Sequence, residues 1–152
     1  MAKIYTHPTQ LLGQEGTQLG PTAPVLIDQA RIDAFAAATL DHQWIHVDPV
    51  RAATGPFGAT IAHGYLTLSL AAHFLSQLIE VRGMSFGVNV GADRMRFVSP
   101  VRVGSELRAV GEILKVTDIK GAIQSVVRIT IEIVGEDKPA CVVEKISRYY
   151  LD

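Results

Sequence analysis

Asp41 and His46 stand five residues apart in Asp41-His42-Gln43-Trp44-Ile45-His46, and a short loop later comes Ile61-Ala62-His63-Gly64. A carboxylate and an imidazole are the side chains that most readily move protons near neutral pH. Gly64 opens a long apolar-rich segment. The first N–H groups of a helix have no partner inside it, so a donor there can meet a developing oxyanion. A glycine at that point also lets a ligand approach the main chain closely. An acid/base pair beside an exposed amide suits the addition or removal of water next to a carbonyl. Spacing alone leaves a plainer reading open: Asp41 caps a turn, His46 is a satisfied packing residue, and His63-Gly64 is a loop-to-helix junction.

His42 and His46, four apart and flanked by Asp41 and Asp48, also raise the question of a metal. Two histidines at that spacing share a face only on a continuous helix. Trp44 and Pro49 fit such a helix poorly and no third group of ligands occurs elsewhere, so no metal is expected. No cofactor is expected either. A nucleophile elbow, a P-loop and a dinucleotide fingerprint are all absent, and Gly83, Gly87 and Gly91 fall in a strand pattern. Arg94 and Arg96 alternate with Met95 and Phe97, so they share one sheet face, read as solvated, with phosphate contact as the alternative. The lone cysteine, in Ala140-Cys141-Val142-Val143, reads as a small buried hydrophobe and excludes an intrachain disulfide framework.

The elements that must position these residues divide into two halves. The first is helical in period. Asp28 can cap a helix over Gln29–Thr39, Asp48-Pro49 starts a short one, and Gly55-Pro56 stops it. The Asp41/His46 pair therefore lies on an irregular connection between helices. From His63 to about Glu80, Leu66, Leu70, Phe74 and Leu78 form one stripe. Leu68, Ala71, Ala72, Leu75 and Ile79 widen it until the helix has little wet surface and must be wrapped, with Gly83 as its end. The second half alternates with a period of two. Strands are predicted from Phe86 to Phe97 with a bulge near Gly91-Ala92, over Glu106–Val116, from Ile123 to Ile133, and over Cys141–Tyr150. A fifth is predicted near Thr22–Ile27. Turns are expected at Ser99–Gly104, Thr117–Gly121 and Gly135–Pro139. One long helix followed by antiparallel strands predicts an α+β fold whose sheet curls around the helix. The exposed sheet edge of a single copy predicts a homodimer.

At 152 residues the chain reads as a single domain over 1–152, long enough to bury a substantial core. A formal net charge of -1 gives no broad field for nucleic acid or an anionic membrane. The longest apolar-rich segment is broken by Thr67, Ser69, His73 and Ser76 and is too polar to span a bilayer. The N-terminal residues lack a signal-peptide core, and a cytoplasmic protein is expected.

Asp41 through Pro49, together with Ile61-Ala62-His63-Gly64, resembles the motifs of the MaoC-like hydratases, the (R)-specific enoyl-CoA hydratases also called hydratase 2. Arg96 through Gly104 is similar to their strand-turn element. The resemblance runs from about Asp28 to the C-terminus and is nearest the short, NodN-like members. It implies a hot-dog fold, a long central helix wrapped by a curved antiparallel sheet of about five strands, dimerised into one continuous sheet. The family's D-x-N-P-[LIV]-H pair falls on Asp41 and His46, and its oxyanion amide falls on Gly64. His63 and Gln43 are assigned to the substrate side of the same site. Gln43 and Trp44 replace the motif's Asn and Pro, and Leu40 replaces its usual Gly. Ala72 stands where some members carry a serine.

The implied reaction is reversible syn hydration of a trans-2-enoyl-CoA to an (R)-3-hydroxyacyl-CoA. Asp41 would act as general base on a water that attacks the β carbon. His46 would orient that water and help deliver a proton to the α carbon, and the Gly64 N–H would stabilise the thioester oxygen. Two alternatives are a hot-dog acyl-CoA thioesterase and a non-catalytic acyl-thioester-binding subunit. The absence of Asp and Glu from the core-helix sequence His63–Ile79 argues against the former.

Overall fold

A computed structural model describes all 152 residues. The Asp28 carboxylate accepts a hydrogen bond from the Arg31 N–H and starts α1 (Gln29–Thr39) with the predicted bounds. The helix ends at Leu40, whose φ of 63° is the left-handed conformation that glycine usually supplies. The connection after it is only partly irregular. Asp41–Gln43 has no regular structure, but a single helical turn, α2 (Trp44–Val47), carries His46. Asp48 then accepts from the Arg51 N–H and begins α3 (Pro49–Ala53).

The core helix, α4 (Gly64–Leu78), stops short of the predicted end. Ile79-Glu80-Val81, with a β-branched residue at each end, turns extended and pairs in parallel with an unpredicted N-terminal strand. In chain order the strands are β1 (Lys3–Tyr5), β2 (Gln18–Leu19), β3 (Val25–Leu26), β4 (Ile79–Val81), β5 (Phe86–Phe97), β6 (Glu106–Ile119), β7 (Ala122–Ile133) and β8 (Pro139–Tyr150). A short 3₁₀ turn, Pro8–Leu11, follows β1. The strand predicted near Thr22–Ile27 shrinks to two residues. Prolines at 21 and 24, which lack an N–H, cannot extend it in the N-terminal direction.

The main sheet has six strands rather than five, ordered β2-β6-β7-β8-β5, with β3 also pairing with β6. β6, β7 and β8 form a meander. β5 crosses over to pair with β8, so its other edge has no partner. Its register slips between Asn89 and Gly91, where the sequence predicts a bulge, and again between Asp93 and Arg96. The inner face of the sheet contributes Ile113, Ile123, Val127, Ile129, Ile131 and Val143, which close over Phe74 and Leu78 of α4. Cys141 is buried there and its thiol is pushed up to about 11 by desolvation, as befits a packing residue.

In one respect the core helix departs from expectation. It is not wrapped all round: Tyr65, Ser69, Ala72, His73 and Ser76 form an exposed stripe. β5, beside that stripe, buries none of its residues. On the outer face, Arg108 pairs with Glu132 at 2.8 Å and Arg128 with Glu112 at 3.1 Å. Arg94 lies 3.7 Å from Glu144 and is largely exposed, in keeping with a solvated face.

Candidate active site

The Asp41–Gly64 stretch is organised by main-chain carbonyls. His46, on α2, is 7% exposed, and its Nδ1 lies 2.7 Å from the Ile61 carbonyl oxygen. A carbonyl can only accept, so Nδ1 carries the proton and Nε2 of the neutral ring presents a lone pair. Nε2 has no partner in the chain and is not sealed from solvent. Burial lowers the His46 pKa below its ordinary value, against the raising effect of the Ile61 contact; His63 lowers it further and Asp41 raises it. His46 is therefore neutral at neutral pH.

Asp41 is exposed at the surface end of the same cluster, its Oδ1 accepting from the Gln43 N–H at 3.3 Å. One ligating atom each from Asp41, His46 and His63 lies within 4.8 Å of the others. His63 is 3% exposed. Its Nε2 donates to the Asp41 carbonyl oxygen at 3.0 Å, and its ring stacks on His46 with centroids 3.8 Å apart and planes 23° from parallel. Phe35 of α1 also packs against it, tilted by 53° with centroids 4.9 Å apart. These three groups, rather than His42 with His46, are the set that could face a cation. Imidazole lone pairs lie in the ring plane, so two stacked rings aim theirs side by side instead of at one point, a poor arrangement for shared ligation.

Gly64 begins α4, and its N–H has no acceptor in the chain. The space that a side chain would fill at this glycine is taken by a ring: a Cβ there would come within 2.9 Å of Phe97. A cleft of about 300 Å³ opens beside it, with Ile61, Gly64, Thr67, Phe97, Ser99 and Ala140 in its walls. The structure thus brings Asp41, His46 and His63 into one cluster and places the Gly64 amide at an adjoining cleft. None of the Asp41, Gln43, His46 or His63 side chains is in the wall of that cleft. His63 lies beneath His46 as a support, and Gln43 contributes its backbone.

Three positioning residues escape a reading of the sequence. Gln29 donates from Nε2 to the His46 carbonyl at 2.8 Å, and its Oε1 accepts from the Thr60 hydroxyl at 2.6 Å. Together they tie α1, α2 and the strand-like run before Gly64 into one unit. Nothing local marks them, because Gln29 looks like any first-turn residue. Phe97 is the third, and the sequence shows it only as an apolar residue alternating with Arg96 at the end of its predicted strand.

The MaoC like domain model matches residues 11–135. The 3-hydroxyacyl-thioester dehydratase Z of Mycobacterium tuberculosis is 46% identical over 148 residues, covering 97% of this chain and 98% of the relative. Nodulation protein N of Rhizobium leguminosarum bv. viciae is 46% identical over 129 residues, covering 82% and 80%. Among solved structures, the (R)-hydratase from A. caviae involved in PHA biosynthesis superposes with a TM-score of 0.73 at 28% identity, covering 91% of this chain and 96% of that one.

Proposed function

The chain belongs to the MaoC-like family, and we propose from that premise that it is an (R)-specific hydratase/dehydratase of acyl thioesters, interconverting trans-2-enoyl-CoA and (R)-3-hydroxyacyl-CoA. The observation that carries the reading is that one ligating atom each from Asp41, His46 and His63 lies within 4.8 Å of the others, while the His46 Nε2 is unpaired and the Gly64 N–H that follows His63 is free. The names of its relatives, a 3-hydroxyacyl-thioester dehydratase and an (R)-hydratase, support the same chemistry.

One water would sit between Asp41 and His46 Nε2, both of which accept from it. As its oxygen bonds to the β carbon, one proton passes to the pair and returns to the α carbon on the same face. His46 starts neutral, so any proton it delivers is one it has taken from that water. The thioester oxygen gains charge meanwhile, and the unpaired Gly64 N–H would receive it. One preorganised donor of this kind is worth about 2.7–4 kcal/mol in the transition state. His63 acts at one remove by fixing the Asp41 main chain and the His46 ring.

The working unit in this reading is a homodimer. β5 offers an unpaired edge and the exposed apolar side chains Phe86, Val88, Val90 and Phe97, an arrangement that soluble chains usually cover. A hydrolytic reading finds little support, since α4 carries no carboxylate.

Trans-2-enoyl-CoAs of graded length, assayed for loss of the double bond with the product's configuration determined, test the proposal. An (R)-3-hydroxy product is expected, with turnover lost in Asp41→Ala and in His46→Ala. An (S) product, release of free CoA without hydration, or full activity in both variants would overturn it.

A further inference from the structure

Lys145 lies on the inner face of β8, 7% exposed, where the core is otherwise mostly apolar. Its Nζ donates to the Ser147 hydroxyl at 2.8 Å, and no carboxylate lies within ion-pair distance of it. An ammonium has three hydrogens to place, and lysine is rarely buried this deeply without a charged partner. Ser125, opposite Ser147 on β7, is also buried, and the Tyr149 hydroxyl is the group near both serines. Desolvation lowers the Lys145 pKa, as expected where an opposing charge is missing.

The place of this lysine in the fold gives it meaning. Beyond the Gly64 cleft lie two more cavities, of about 230 and 410 Å³, and Lys145 is in the wall of both. The three follow one another in the same order along three elements. On α4 the walls pass from Gly64 and Thr67, to Leu68 and Ala71, to Leu75 and Ser76. On β8 they pass from Ala140, to Val143, to Ser147 and Tyr149. On β5 they pass from Phe97, to Ala92, to Val88 and Gly87, as the antiparallel register with β8 requires. The row runs beside the exposed stripe of α4. Ala72, which lines both distal cavities with Lys145, is roughly 12 Å along the helix axis from Gly64.

Resting on the hydratase reading above, we infer that this row receives the acyl tail and that Lys145 selects chains whose far end carries a hydrogen-bond acceptor, a carboxylate foremost. The thioester would sit at Gly64, the tail would follow α4, and an ω-carboxylate would supply the buried ammonium with its missing partner. A charged hydrogen bond in a desolvated site is among the strongest single contacts available to a ligand. A methyl terminus at the same depth would leave the ammonium unpaired.

The test uses pairs of trans-2-enoyl-CoAs of equal length, one ending in a methyl group and the other in a carboxylate, over a series of lengths. At one length the carboxylate substrate is expected to be favoured by about ten- to a hundredfold in kcat/KM, the worth of one hydrogen bond to a charged group. Lys145→Met should abolish that preference, read as the ratio of the two kcat/KM values at each length. The wild-type comparison does not depend on any variant folding. Hydration without preference at every length, or an equal loss on both substrates in Lys145→Met, would overturn this inference and leave the hydratase reading standing. Failure to hydrate any enoyl-CoA would remove both.

Discussion

The Asp41–Gly64 stretch and the β6–β8 meander use opposite means to hold their side chains. In the meander, inward residues alternate with partly exposed ones, and Ile113, Val127, Ile129 and Ile131 are held by burial over long ladders of backbone pairs. In the Asp41–Gly64 stretch the elements are one or two turns long, and polar side chains grip the main chain instead. His46 holds Ile61, His63 holds Asp41, and Gln29 holds His46. Burial is non-directional and supplies stability. Hydrogen bonds fix distances and angles, which is what the proposed proton transfer needs. The division of labour is therefore spatial: the sheet keeps the molecule folded and the short elements keep three groups aimed.

A crossed pair of substitutions is the strongest way to break that comparison. Asp41→Asn should lower kcat by about 10²–10⁴-fold, the usual contribution of a positioned acid or base, with no shift in thermal unfolding. Ile129→Ala should remove about 2–5 kcal/mol of stability by denaturant titration, while the remaining folded molecules turn over normally. Equal damage to both properties by either change would erase the distinction.

A pH titration sharpens it. His46 is buried neutral and its pKa is lowered from 6.5. The unfolded chain therefore binds the proton more readily, so this group's contribution to stability is full above 6.5 and declines as pH falls through the lowered value. A proton on Nε2 also blocks the acceptor, so kcat/KM should fall on the acid side with a midpoint below 6.5. Asp41→Asn should move that midpoint lower still, because the Asp41 charge raises the His46 pKa.

The smallest effect concerns Leu40, at the entry to the Asp41–Gly64 stretch. Leu40 is 81% exposed, so its side chain packs on little, and it holds a left-handed backbone. Leu40→Gly should raise stability by roughly 0.5–1 kcal/mol, the relief of a left-handed β-carbon less the extra freedom of glycine in the unfolded chain. Measured kcat should not rise with it.

The same two regions differ in how far they are legible in the sequence. Period-two alternation marks β6, β7 and β8 to within a few residues, because each inward side chain has to be apolar. The Asp28 cap fixes the start of α1 for an equally local reason. Asp41, His46 and Gly64 are visible as chemistry because their types are unusual together. The burial of His63 under His46, the grip of Gln29 and the contact of Phe97 with Gly64 are not visible. Each joins residues far apart in the chain, and no spacing rule reports them. The exposed stripe on α4 is hidden for a related reason. Apolar residues all round predict cover, but composition does not say whether this chain or another copy supplies it.

The ring of Phe97 resting against Gly64 joins the last turn of an open-edged strand to the first amide of the core helix. Whatever clamps the rim of β5 therefore also sets the tilt of that amide. In the proposed reaction, association at the rim and polarisation of a bound carbonyl would become a single mechanical variable, read out at one N–H.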